Sequence, residues 1–407
     1  MDTPLPNLDR GKTGGARVYY LDWLRVLAIL MVFLFHAVHP FDYGDWHIKN
    51  VEQSEFLTVL LTLLGIWGMP FFFMVAGSAS WFALHSRSSK QYVQERFNRL
   101  FVPFIVGTLL FFPLQKYLEW VNKAQRGVMT TSFQEFAFRP VTDGTLFGWV
   151  TPRWFGYGVH LWFLAFLFAF AVITLPLFQW WMKGSGKTFI NWMARLSERR
   201  GSLLLFIVPL VIVHSLLMQY FPTEHDWADF FNQMMFFILG FILFADERFR
   251  RAIRKDWWIF TILALIIVIA LLVMYLFDMP LLEWYENSGN LQYYLIQLLV
   301  SALALSCCLL ILYIGQRFLD FSNRWLRYGQ EAALPFFVLH QPVIVVIAFF
   351  VVQWQAGIWI KLPVVVLSSF IITISLYEFV IRRLPLLRRI FGMKVQIPEV
   401  QQVSAQP

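Results

Sequence analysis

The chain has 407 residues, of which 58% are hydrophobic and only 14% charged, and its mean hydropathy is +0.60. Ordinary soluble domains are about one quarter charged, and no soluble core of this length could hide so many Phe, Leu, Ile and Trp behind so few charges, so a soluble enzyme is excluded. The net charge of +8 follows the membrane-flanking segments rather than one patch, so no nucleic-acid partner is expected.

Apolar blocks recur at about the 20-residue length a helix needs to cross a bilayer at ~1.5 Å per residue. They predict spans at 20–41, 56–83, 100–120, 160–181, 202–221, 229–245, 257–278, 291–315, 329–353 and 362–381. The predicted fold is an all-α, polytopic transmembrane bundle of about ten helices. It comprises a short segment 1–19, a membrane domain 20–392 and a polar tail 393–407. Of the 33 basic residues, 26 fall on one side of this alternation. The other side holds Lys49, Lys116, Lys123, Arg126, Arg139, Arg153 and Lys361. The positive-inside rule then places both termini in the cytoplasm and supports an even number of spans.

The longest outer segment, 121–159, carries Arg126, Arg139, Asp143 and Arg153. It is too long for a bare connection and predicts short helices along the outer face, forming part of an acceptor site. Cys307 and Cys308 are adjacent in an apolar block, so no disulfide framework is implied. The polar first 20 residues and the spanning length of the next run argue against a cleavable signal peptide. The 18 Trp and 14 Tyr suit interfacial belts. No internal repeat suggests the inverted halves of a transporter.

Ionisable residues inside spans cost roughly 2.5–3.5 kcal/mol each, so each needs a partner, a cavity or a task. Span one carries Arg25 and His36, eleven positions apart. At ~100° per residue that is close to three full turns, so both share one face, separated by a rise of roughly 16 Å. Asp22 stands three residues before Arg25, at ion-pair spacing. Snorkelling would account for Arg25 alone, and helix packing for His36 alone. The two together on one stripe suggest a lined channel. Arg96 and Arg99 sit one turn apart where span three begins, either as positive-inside anchors or as a phosphate clamp. His160 opens span four as His-Leu-Trp-Phe-Leu, and His340 lies mid-span between Pro335 and Pro342. His214 reads as a packing residue and His85 as a loop residue. No metal site and no tightly bound cofactor are expected.

These pieces occur together in a recognisable order. The Arg-x10-His of span one, Met-Pro-Phe-Phe-Phe-Met-Val-Ala-Gly (69–77), Arg-Phe-Asn-Arg-Leu-Phe-Val-Pro (96–103), His-Leu-Trp-Phe-Leu (160–164) and Leu-His-Gln-Pro (339–342) resemble the membrane-bound acyltransferase family 3. Trp46-His47, Tyr377-Glu378 and Arg-Leu-Pro-Leu-Leu (383–387) resemble its glucan-succinylating branch. No fused hydrolase-like domain of the kind some members carry is expected, so acceptor binding would fall to the membrane body and the 121–159 segment.

The resemblance implies an O-acyltransferase of a bacterial inner membrane. It would move an acetyl or succinyl group from cytoplasmic acyl-CoA to a hydroxyl of an extracytoplasmic glycan. His36 would act as general base or nucleophile, supported by Arg25 and Asp22. Arg96, Arg99 and Arg25 would hold the donor phosphates. His160, Trp162, His340, Trp46, His47 and Glu378 would line the channel or acceptor site. Two other readings stand beside it: a proton-coupled transporter or flippase of an anionic or acylated substrate, and a receptor or scaffold, which would not need intramembrane charges.

Overall fold

The computed structural model describes residues 18–138, 151–286 and 289–393, and among these residues every regular element is helical. Helix α1 (Tyr19–Val38) passes through a 3₁₀ turn (His39–Phe41) into an irregular loop. Next come α2 (Glu55–Ser86), α3 (Ser89–Gln125) and the short α4 (Phe133–Ala137). A 3₁₀ segment (Pro152–Leu161) feeds α5 (Trp162–Ile173), followed by α6 (Leu175–Trp181), α7 (Gly184–Leu196) and α8 (Ser202–Met218). The described chain ends with α9 (Trp227–Ala245), α10 (Glu247–Leu276), α11 (Leu281–Glu286), α12 (Leu291–Phe318), α13 (Arg324–Val351), α14 (Ile358–Ile381) and α15 (Pro385–Ile390).

Among the described residues, nine helical units are long and apolar enough to cross a membrane: α1, α2, α3, Pro152–Ile173, α9, α10, α12, α13 and α14. The protein is a multi-pass membrane protein. The remaining predicted span, 202–221, is the shorter apolar helix α8, which stops at Met218. The predicted span 160–181 is corrected. Its helix breaks at Thr174, because Pro176 has no N–H to bond the Val172 carbonyl. Of the predicted outer segment, 121–125 extends α3 and 133–137 forms α4, whereas Arg139 and Asp143 lie outside the described residues. The segments 1–17 and 394–407 lie outside them as well.

Local sequence accounts for many boundaries. Ser88 and Gln91 form a reciprocal capping box at the start of α3, with bonds of 3.0 and 3.3 Å. Asn323 caps α13 by accepting from the Leu326 N–H at 2.9 Å. The motif 69–77 has a packing role: a Cβ on Gly77 would lie 1.8 Å from the Phe237 carbonyl oxygen, and one on Gly240 would lie 1.9 Å from the Met74 oxygen. Here α2 and α9 touch backbone to backbone, as small residues allow when lipid supplies no hydrophobic drive.

Among the described residues, two helices contain a wide turn. Residues Phe97–Phe101 of α3 and Tyr377–Ile381 of α14 are π-helical, the latter closed by the Arg382 N–H to the Tyr377 carbonyl at 2.8 Å. Each inserts a residue into the helical register, a feature frequent at functional sites.

Candidate active site

Helix alternation gives the bundle a basic end and a histidine end, and α1 runs from one to the other. Arg25 stands in the first turns of α1, with its Nη1 3.5 Å from Asp22 Oδ1. At the same end, Arg96 lies over the Tyr92 ring at 5.1 Å, and Arg99 reaches Glu95 at 3.5 Å. Glu95 is held in turn by Arg87 at 2.9 Å. The wide turn begins immediately after Arg96, so Arg96 and Arg99 are not stacked as a regular α-turn would stack them.

His36 is in the last turn of α1. Its ring centroid lies 5.4 Å from that of His340 and 6.4 Å from that of His160, which are themselves 5.0 Å apart. The structure therefore brings together three histidines predicted from three separate spans. Proline chemistry explains one vertex. Pro342 has no N–H, so the Val338 carbonyl loses its helical donor. His160 Nε2 replaces it, 3.2 Å from the Val338 oxygen and 3.1 Å from that of Phe337. A carbonyl can only accept, so Nε2 carries the proton and His160 Nδ1 is left as a bare acceptor. The same logic fixes His340: Nδ1–H donates to the Phe337 carbonyl at 2.6 Å, leaving Nε2 bare. Neither bare nitrogen has a partner, and neither does His36 Nδ1. His340 is wholly buried and His160 nearly so, whereas His36 remains partly accessible.

The segment that delivers His160 is strained. Val159 has φ 52° and ψ −127°, a region that a β-branched side chain avoids. Its neighbour Gly158 faces Phe104 so closely that a Cβ would sit 2.4 Å from that ring. The chain is thus forced round a sharp corner directly before the histidine.

The loop after α1 closes over the cluster. Trp46 lies nearly parallel to His39 and His36, with centroids at 5.9 and 6.3 Å. His39 Nδ1 lies 3.1 Å from the Asp42 carboxylate, and buried Lys49 bonds Asp42 at 2.5 Å and the His39 carbonyl at 2.6 Å. Burial alone would push the Asp42 carboxyl up. The His39 and Lys49 bonds outweigh it and hold the group below its ordinary value. Burial pulls the Lys49 ammonium down, with Asp42 opposing. His47 Nδ1 donates to Glu119 of α3 at 2.5 Å, and Glu119 also bonds Lys116 and Lys123 at 3.0 and 3.1 Å. The Gln341 amide donates to His47 Nε2 at 3.0 Å and to Gln115 at 3.2 Å. His39, Asp42, Glu119, Gln115 and Gln341 were not singled out by sequence. The signals were present: Glu119 is a carboxylate in an apolar helix, and Gln341 adjoins His340.

Two predicted residues are placed elsewhere. Glu378 is at the basic end, in the wide turn of α14, where it accepts from Arg382 at 2.7 Å and from Tyr328 at 3.2 Å. The alternation of spans carries it away from the histidines. Trp162 packs on Phe166 and His225, with centroids 4.9 and 4.3 Å away, supporting the loop before α9 rather than the cluster. His214 bonds Gln297 at 2.8 Å as a packing residue, and His85 bonds the Trp81 carbonyl at 2.8 Å on the α2 surface. Among the described residues, no three His, Cys, Asp or Glu side chains are grouped to hold a metal ion.

The arrangement offers proton acceptors in an enclosed but accessible site at one end and guanidinium groups at the other. Comparison with known proteins is consistent with that chemistry. The chain is 23% identical over 398 residues to proteins named Glucans biosynthesis protein C from Salmonella paratyphi A, Salmonella agona (strain SL483) and Salmonella enteritidis PT4 (strain P125109). The match covers 95% of this chain and 97% of each relative. No solved structure matches it. Residues 18–378 match the family model described as an acyltransferase domain, that of acyltransferase family 3, so the chain belongs to this family and is a membrane acyltransferase.

Proposed function

We propose that the protein is an O-acyltransferase of a bacterial inner membrane that acts across the bilayer. It takes an acetyl or succinyl group from acyl-CoA at the basic, cytoplasmic end. It delivers that group to a hydroxyl of an extracytoplasmic glycan, in keeping with the name of the Salmonella relatives. Counting α8 as a span gives ten and leaves both termini on the basic side.

The observation that carries this reading is the partly exposed imidazole of His36, whose Nδ1 has no partner, at the far end of the helix that bears Arg25. Arg96, Arg99 and Arg25 bind the donor phosphates, with guanidinium geometry suited to them. The slender pantetheine arm runs along α1, a path of roughly 16 Å. His36 removes the proton from the acceptor hydroxyl, and the oxygen bonds to the thioester carbonyl carbon. The C–S bond breaks with its electron pair on sulfur, and His36 returns the proton to that sulfur. His160 and His340, with tautomers set by backbone carbonyls, keep the pocket rich in acceptors. Asp22 steadies Arg25.

The test is purified protein in lipid nanodiscs with acetyl-CoA or succinyl-CoA and gluco-oligosaccharides, followed by mass spectrometry of the sugar. The expected result is a mass gain in the sugar with CoA release, lowered by about 10²–10⁴-fold in His36→Ala. A His36→Ala protein acylating at the wild-type rate would falsify the catalytic assignment.

A further inference from the structure

One buried oxygen in the site stands out. Gln341 is 2% exposed, its amide nitrogen makes two hydrogen bonds, and its side-chain oxygen Oε1 makes none. Amide orientation follows from the network around it. The Glu119 carboxylate can only accept, so His47 Nδ1 donates to it, and in the neutral ring His47 Nε2 presents a lone pair. That lone pair requires a donor, which must be the Gln341 NH₂. The same NH₂ satisfies Gln115 Oε1 at 3.2 Å. Both requirements turn the Gln341 carbonyl the other way, towards no protein donor. A buried carbonyl without a partner is costly and rare. It follows His340, whose bare Nε2 is also unsatisfied.

We propose that Gln341 is a positioning residue for the acceptor, its carbonyl receiving a hydrogen bond from a sugar hydroxyl, with Glu119 and His47 locking the amide in that orientation. The ligand class is a neutral polyol or sugar, because the site offers acceptors where an anion would need donors. This rests on the acyltransferase reading, in which the acceptor enters at the histidine end.

The experiment measures gluco-oligosaccharide binding by tryptophan fluorescence, and separately KM and kcat with acetyl-CoA or succinyl-CoA as donor. In Gln341→Met, the expected change is about a tenfold rise in the dissociation constant and KM for the oligosaccharide, from the loss of about one hydrogen bond. The KM for the donor should move less than twofold. If Gln341→Met unfolds, judged by its melting curve, Glu119→Gln takes its place and should raise the sugar KM about threefold. A sugar affinity equal to wild type in the folded variant overturns the proposal, as does a wild-type protein that binds no sugar. A protein that binds sugar Gln341-dependently yet transfers no acyl group would support the subsite and overturn the proposed transfer from these acyl-CoA donors instead.

Discussion

The bond between His160 and the backbone freed by Pro342 lends itself to a double-mutant cycle. His160→Phe removes the donor to the Val338 and Phe337 carbonyls, bonded at 3.2 and 3.1 Å, within a site where His160 is 5% exposed. Leaving a buried carbonyl unsatisfied costs about 1–3 kcal/mol, so the single substitution should destabilise by about 2 kcal/mol. Pro342→Ala restores an N–H at position 342, which can bond the Val338 carbonyl within the helix. In that background His160→Phe should cost only about 1 kcal/mol, giving a coupling of about 1 kcal/mol between two residues far apart in sequence. The assay is unfolding by SDS titration in mixed micelles, monitored by tryptophan fluorescence for the four proteins. Strict additivity would refute the claim that His160 serves as the missing helical donor. Acyl transfer measured on the same four proteins should fall wherever His160 is lost, since its imidazole also lines the site.

Three further outcomes are expected. Arg96→Ala and Arg99→Ala should each raise the KM for acyl-CoA by about tenfold, the loss of one charge-assisted bond, without altering membrane insertion; equal KM values would assign both arginines to topology alone. Gly240→Ala should destabilise by about 3 kcal/mol in the same SDS titration, because the Met74 carbonyl 1.9 Å from the new Cβ is backbone and cannot rotate aside; wild-type stability would show that α2 and α9 separate freely. Burial against Trp162 pushes the His225 imidazole from its ordinary 6.5 down to about 4. Between those values the unfolded chain binds the extra proton, so stability is full above pH 6.5 and falls as pH drops towards 4, by at most about 3 kcal/mol; a His225→Gln protein with the same acid slope would remove His225 as the cause.

The bundle was legible because hydrocarbon thickness imposes a length and charge asymmetry imposes an alternation, and both are written linearly in the chain. His36, His160 and His340 were legible for a related reason: each is polar where lipid makes polarity expensive. Other parts depended on relations between distant residues. Nothing near Pro342 announces that His160, from another segment, will take up the Val338 carbonyl. Glu119 and His47 are 72 positions apart, and only the folded loop 42–54 joins them. Glu378 was misplaced because its neighbours in sequence resemble a functional motif while its position on α14 puts it at the basic end. Arg96 and Arg99 were read as one turn apart, and the wide turn that begins after Arg96 changes the angle between them from that of a count made at 3.6 residues per turn.

That wide turn also reaches beyond its own neighbourhood. A helix is stiff, so one surplus residue at Phe97–Phe101 sets the phase of everything carried by the rest of α3, including Gln115 and Glu119 more than a dozen positions on. Delete one residue there and an offset of about 100° must be absorbed on one side or the other. Either Arg96 swings away from its present bearing, or Gln115 and Glu119 turn off the residues they now meet. The two ends of the molecule, the arginine end and the histidine end, are indexed to each other through a single inserted peptide unit.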